Sequence, residues 1–301
     1  IDRFDNFVSV LLFMPRDRFD SEVRARIGDY LAGIYDGRVS AWYPAFPEGE
    51  LVRVHFIIGR YSGPTPHPRR ERIEDEVTEL TLTFADKLLR ASEDAAFVAD
   101  WLEAFPPAYQ ARHGVDGALS DIGVMGGLAG GEAIALRLWG LVDGDASIGL
   151  KVYHRESPIP LSDRVPMLEN FGFRVIDERT YTAEPRGGGE IYIHDMELEP
   201  AGDIRFAPGD QSQLLEEAIL AVWSKRAESD GLNQLTARAG MHWRDVAVLR
   251  ALTHYLKQLG IAFSRSYLVA VIGPRPDVAA ALVALFHALH DPDFSGAREA
   301  S

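Results

Sequence analysis

A βαββ pattern occurs twice in this chain and limits what it can fold into more than any other feature. The first copy runs from Phe7 to Ile58. An apolar run Phe7–Phe13 is followed by the polar turn Met14-Pro15-Arg16-Asp17, a helical stretch to Tyr35, and strands Val39–Tyr43 and Val52–Ile58. The second runs from Ser147 to Met196: strand Ile148–His154, turn Arg155–Pro160, a helical stretch to Phe171, then strands Arg174–Tyr181 and Glu190–Met196. Alternating, β-branched runs read as strands. In the first copy Val23, Ile27, Tyr30, Leu31 and Ile34 recur at helical spacing, with Asp17 or Asp20 placed as the cap. Gly37 suits a positive-φ turn before the next strand. In the second copy Arg186-Gly187-Gly188-Gly189 reads as a hairpin tip.

Between the copies, Ser62–Pro68 is a breaker cluster. One long helix is expected from Arg69 to Leu89, with Ile73, Val77, Leu80, Phe84, Leu88 and Leu89 on one face, and a second over Glu93–Phe105. Residues Ala108–Gly131 read as a short helix with loops, and Ala133–Leu141 as a strand that completes the first sheet or precedes the second. Gly126–Gly131 is not a G-x-G-x-x-G and has no strong strand before it, so it reads as a linker at a helix start. From Asp210 onward the strand signal stops. Helices are expected over Leu214–Arg226, Leu232–Ala239, Trp243–Leu259, Ser264–Ile272 and Asp277–Leu289, with Gly231, Gly240, Gly260 and Gly273 ending them.

Composition excludes several kinds of chemistry. A net charge of −14 opposes binding to nucleic acid or an anionic membrane. Basic spots exist at Arg3, Arg16, Arg18 and Arg69–Arg72, the last reading as a solvated helix start. With 0 cysteines there is no disulfide, thiolate zinc site, iron–sulfur cluster or thiol nucleophile. No run approaches the roughly 18 apolar residues that a membrane span needs, and no secretory signal is present. A cytoplasmic home suits this. The chain opens at Ile1 directly into a strand-like run and reads as a segment of a longer polypeptide.

No motif carries a reaction. His287 and His290, near Asp291 and Asp293, lack the spacing of a metal site and read as helix-end residues. His242-Trp243-Arg244-Asp245 reads as a helix start. There is no G-x-S-x-G elbow, and Lys87, Lys151, Lys225 and Lys257 lack a setting suited to a catalytic amine. The candidate sites are the two β–α turns, Met14–Asp20 and Ser157–Asp163, where a helix N-terminus offers N–H groups to a carboxylate. Arg16, Asp17, Ser157, Ser162 and Asp163 are the candidate effector-binding residues; the alternative is that Ser162 and Asp163 are simply N-caps.

At these residues the chain resembles a known family. Pro158–Glu178 (Pro-Ile-Pro-Leu-Ser-Asp-Arg-Val-Pro-Met-Leu-Glu-Asn-Phe-Gly-Phe-Arg-Val-Ile-Asp-Glu), Asp2–Ser9 with Pro15–Phe19, Ala237–Ala251 and Phe286–Pro292 resemble the large NAD-specific glutamate dehydrogenases of bacteria, where the same stretches follow in chain order. The resemblance covers nearly the whole chain and is weakest around Pro106–Gly131. It implies an α+β region upstream of the catalytic domain: two ACT-like (ferredoxin-like βαββ) modules followed by an all-helical bundle. The boundaries expected are 1–142 with a long helical insert, 143–205, and 206–301. The family's Gly-Gly-Leu-Arg-Trp-type catalytic motif and a dinucleotide fingerprint have no counterpart in the sequence, so no catalytic, metal or cofactor residue carries over; NAD would belong to the parent enzyme. The implied partners are the rest of the parent chain, further copies in a homo-oligomer, and an amino-acid effector. A structural scaffold without ligand is the alternative. ACT turns usually carry glycine after proline; here Ile159 follows Pro158 and Arg16 follows Pro15, side chains that would crowd a ligand.

Overall fold

The computed structural model describes residues 6–61, 63–128, 133–140, 147–155, 157–202, 204 and 210–290. Arg3, Leu141, Glu156, Asp291, Asp293 and the 129–131 part of the glycine-rich stretch, singled out above, lie outside the described residues. The chain forms two compact units, residues 1–95 and 96–301.

In the first unit, strands β1 (Phe7–Pro15), β2 (Gly37–Ala45) and β3 (Leu51–Arg60) form an antiparallel sheet in the order β1-β3-β2. Helix α1 (Ser21–Ile34) connects β1 to β2, and α2 (Arg70–Thr81) follows β3. Alternation sends Val8, Met14, Val52, Val54, Phe56 and Ile58 to one face, where Val23, Ile27, Leu31 and Val77 of the two helices close the core. Positive φ falls on Asp36 (φ 48), not on Gly37. Gly37 instead lets β2 approach the Gly59 carbonyl, where a Cβ would collide. Asp20 is the cap of α1, its carboxylate accepting from the N–H groups of Glu22 (2.7 Å) and Val23 (2.8 Å).

The helix expected over Arg69–Leu89 is two helices. α2 stops at Thr81, and Thr83 opens α3 (Phe84–Ala91) with a capping box in which Asp86 answers from N3. The apolar periodicity ran through the break because both pieces bury a face, so only the Thr83–Asp86 spacing marked it. Glu93–Phe105 is mostly irregular, with a single turn α4 (Ala95–Val98) and a 3₁₀ turn at Ala99–Trp101.

The second unit departs further from expectation. α5 (Pro107–Leu128) is long, broken at Gly114 (φ 61, ψ −165). Gly126 and Gly127 lie inside it. Then come β4 (Ile134–Gly140), β5 (Ile148–Arg155), α6 (Leu161–Asn170), β6 (Phe173–Ala183), β7 (Ile191–Pro200) and α7 (Asp210–Trp223). The sheet is antiparallel in the order β4-β5-β7-β6. β4 therefore belongs to the second sheet, and a boundary at 142/143 would separate strands that are hydrogen-bonded to each other. Likewise α7 lays Leu215, Ala218, Ile219 and Val222, the i, i+3, i+4, i+7 stripe, on this sheet, so the helical part does not begin at 206.

This sheet is covered on both faces. Leu136, Leu138, Ile148, Leu150, Val152, Met196 and Leu198 meet α6 and α7. On the other side α5 packs through polar groups. Asp121 accepts from Tyr109 Oη (2.5 Å), Lys151 Nζ (2.6 Å) and Tyr153 Oη (2.8 Å). Arg112 Nε and His113 Nε2 both lie 3.2 Å from Asp195, which neighbours Lys151 across β5 and β7. Burial, reinforced by the Asp121 charge, pushes the Tyr109 and Tyr153 hydroxyls far above the ordinary phenol range. Burial alone would raise the Asp195 carboxyl, but the His113 contact and the Lys151 and Arg112 charges bring it below its usual range.

Beyond α7, a 3₁₀ turn at Gly231–Asn233 and helices α8 (Gln234–Ala239), α9 (Trp243–Gln258), α10 (Arg265–Ile272) and α11 (Pro276–His290) enclose Leu232, Leu235, Met241, Val246, Leu249, Ala279 and Val283. Gly240 (φ 60) ends α8 in the left-handed region; Gly231 starts a turn and does not end one. No single described helix is long and apolar enough to cross a membrane; α10 and α11 together would be, but are bent by 105°.

Two outcomes follow. Asp20→Ala is expected to lower the unfolding free energy by about 1 kcal/mol in chemical denaturation. Lys151→Met, which leaves the Asp121 carboxylate buried without its cation, is expected to cost on the order of 3 kcal/mol.

Candidate effector site

The two turns singled out in the sequence lie in different units and differ in what they offer. In the first, Arg16–Arg18 form a 3₁₀ turn and the Arg16 N–H donates to the Glu50 carbonyl at 2.8 Å. The Arg16 guanidinium sits 5.2 Å from the centre of the Phe46 ring. Arg16 and Asp17 line an open groove of about 750 Å³ with Glu50 and Leu51. The start of α1 is already held by the Asp20 carboxylate, so its N–H groups and its positive end are spent on an internal anion.

The second turn is built differently. His154 Nδ1 donates to the Ser157 carbonyl at 2.6 Å, and the Ser157 N–H donates to the Arg155 carbonyl at 2.9 Å. The Ile159 N–H donates to His194 Nε2 at 3.1 Å while its side chain enters the core. α6 then starts behind Pro160, and no side chain caps it. Ser162 and Asp163 are inside the first turn, so neither is the N-cap; Ser162 Oγ lies 3.4 Å from Asp163 Oδ1. Asp163 still favours the positive helix end. Pro166 inside α6 removes the N–H that would normally reach the Ser162 carbonyl.

Asp163, Pro166 and Met167 of α6 face Val222, Trp223, Lys225 and Ser229 across a groove of about 430 Å³. Ser229 is held by Asn170, whose Nδ2 donates to Ser229 Oγ at 3.0 Å. Lys225 has φ 60. It closes α7 with the bond pair Arg226 N–H to Ala221 carbonyl (2.8 Å) and Lys225 N–H to Val222 carbonyl (3.1 Å). That is the C-terminal motif in which glycine is usual, because a left-handed conformation costs a non-glycine residue about 1–2 kcal/mol. A lysine is held there at a cost, with its side chain on the groove.

Comparison with known proteins places these modules. Models described as "Glutamate dehydrogenase, ACT2 domain", "Glutamate dehydrogenase, ACT3 domain" and "Glutamate dehydrogenase, helical motif 3" match residues 1–85, 133–210 and 227–292. The NAD-specific glutamate dehydrogenase of Halomonas elongata is 34% identical over 300 residues, covering 97% of this chain and 18% of that protein. Those of Pseudomonas aeruginosa (29% identical, 95% of this chain, 18% of that protein) and Mycobacterium tuberculosis (30%, 98%, 19%) are similar. The chain belongs to the NAD-specific glutamate dehydrogenase family. It spans under a fifth of the length of these relatives. The ACT3 match begins at residue 133, so it includes β4, as the sheet does.

Within this glutamate dehydrogenase segment the structure brings Asp163 to a groove but sets Ser157 in main-chain contacts, and it leaves Arg16 and Asp17 in the other unit. Sequence reasoning missed Lys225 and Trp223. The signal was present: no glycine stands near the end of α7, so some other residue had to take the left-handed position. Both sheets are antiparallel, and neither turn, Met14–Asp20 or 157–160, carries the glycines of the parallel-sheet dinucleotide fingerprint. Among the described residues no group of three His, Asp or Glu side chains is placed to hold a metal; His287 instead pairs with Asp245 at 2.9 Å.

The turn before α6 rests on a chain of polar groups that runs from the buried His194 out to the surface at Thr180. Since His194 Nε2 accepts from Ile159, Nδ1 carries the proton and donates to Thr180 Oγ1 (3.0 Å), whose hydroxyl donates to Glu178 Oε1 (3.2 Å). Arg164 Nη1 lies 2.5 Å from the same oxygen. Burial, then the Arg164 and His154 charges, pull the His194 imidazole down to about 3. A histidine depressed in the folded state is neutral there while the unfolded chain takes a proton. Its contribution is therefore intact above about pH 6.5 and is lost progressively as pH falls toward 3. His194→Gln should flatten the fall in unfolding free energy across that window by up to about 1.4 kcal/mol per pH unit, measured by denaturation at a series of pH values.

Proposed function

We propose that this chain is a non-catalytic regulatory segment of an NAD-specific glutamate dehydrogenase, and that the groove between α6 and α7 binds a free amino acid. The parent enzyme, a cytoplasmic homo-oligomer in this reading, oxidises L-glutamate to 2-oxoglutarate and ammonia with NAD, using residues outside this segment.

The observation that carries the reading is that opposite charges meet on one groove with an apolar wall. Asp163 suits the ammonium of a zwitterion and Lys225 its carboxylate, while Met167, Val222 and Trp223 suit a hydrocarbon side chain. A ligand there would join α6 to the end of α7, and such linkage typically shifts affinity at a distant site by about 1–3 kcal/mol. The scaffold reading draws on a different observation: Val278, Leu282, Leu285 and Leu289 form an exposed stripe on α11, and Phe7, Leu11 and Phe13 of β1 are exposed on one face of the first sheet.

The test is thermal unfolding of the chain against a panel of free amino acids. Those with uncharged side chains are expected to raise the midpoint, by the equivalent of about 2.7 kcal/mol at 100 times Kd. Asp163→Asn and Lys225→Gly should each abolish the rise. Lys225→Gly relieves the left-handed strain, so binding should be lost while the unliganded protein stays as stable or gains. A flat panel would sink the effector reading and leave the scaffold.

A further inference from the structure

The two βαββ copies are finished differently. β5-β7-β6 of the second sheet corresponds to β1-β3-β2 of the first. In the second, the edge of β5 is taken by β4, paired from Ile134↔His154 to Gly140↔Ile148, and α5, which precedes β4, covers the face away from α6. In the first, β1 is an edge strand among the described residues. The contrast in exposure is large. Lys151 and Tyr153, on the outer side of β5, are 4% and 0% exposed, whereas Leu11 and Phe13 of β1 are 51% and 59% exposed. Phe7, Tyr43 and Leu51 are exposed on the same face, where Ser9, Arg53 and His55 lie among them. Natural edge strands that face water are normally protected by charge, proline or a bulge; β1 has only Pro15, its last residue, and Phe7–Met14 contains no charged residue. A long edge without charge from Phe7 to Met14, beside exposed aromatic and aliphatic side chains, marks a surface made to be covered.

We propose that a helix and a strand of the same polypeptide, from the stretch that precedes this chain in the full-length enzyme, cover the first sheet. The strand pairs antiparallel with the free edge of β1 as β4 pairs with β5, and the helix lies over Leu11 and Phe13 as α5 lies over Lys151 and Tyr153. The inference comes from the mismatch between the two sheets. It rests on the reading of the chain as a segment of a longer enzyme and is independent of the groove and its ligand. A hairpin partner is favoured over a second copy because the second module shows the same edge filled from the immediately preceding chain, at little entropic cost for a short loop.

Amide hydrogen exchange tests it in three proteins: the 301-residue chain, that chain lengthened at its N-terminus by natural sequence as long as the stretch from Pro107 to Ser147, and the full-length enzyme. Amides of β3, the central strand, serve as the control and should be equally protected in all three. The β1 amides that do not bond β3 should exchange quickly in the 301-residue chain and at least about tenfold more slowly in both longer proteins. Equal exchange in the full-length enzyme overturns the proposal. So does protection in the full-length enzyme but not in the lengthened chain, which would put the occupant elsewhere. So does protection of the 301-residue chain that grows with its concentration, which would make a second copy the occupant.

Discussion

The convergence of three donors on Asp121 is the interaction on which the second unit depends. A carboxylate taken out of water is tolerable only if its lone pairs are used, and Tyr109, Lys151 and Tyr153 use them from α5 and β5 at once. This anchors a helix to a sheet face that would otherwise be wet. With that face closed, β5 and β7 are buried on both sides, and the opposite face meets α6 and α7 mainly through apolar contact, with the His194 and Arg164–Glu178 contacts among it. The positions of α6 and of the end of α7, and hence the groove between them, follow from that packing.

The same topology serves two ends. Both copies place a helix after the first strand, yet only one keeps its helix start open. Asp20 satisfies the start of α1 from within, whereas Pro160 leads into α6 with no side-chain cap and the preceding turn is fixed from below by His194. A turn held by a buried, uncharged imidazole is rigid without spending the helix terminus. The other rim of the groove is held by strain, with Lys225 in a conformation that glycine adopts more cheaply. Rigid geometry on one side and a costly residue on the other are features expected where a surface must be kept in one shape.

Much of this was legible beforehand. The strands and the helices after residue 210 follow from alternation and from helical spacing, which are local consequences of side chains meeting one core face; the order of the strands in each sheet does not. The break at Thr83 was legible only through its capping box, because apolar spacing continued across it. The placement of β4 was not legible: an isolated apolar strand suits either sheet, and only the edge of β5 decides between them. α5 was underestimated because its glycines argue against a helix, while its buried Tyr109, Asp121 and Met125 gain their stability from a sheet distant in sequence.

By itself the sequence determined the repeated module, the absence of cysteine chemistry, the family, and the residue types available at each turn. These depend on short-range pattern and composition. The tertiary structure alone decided that Asp163 and Lys225 line one groove, and that Arg16 and Asp17 line another in a different unit. Such pairings join residues far apart along the chain, and their geometry is set by how sheet and helices pack, which no local pattern encodes.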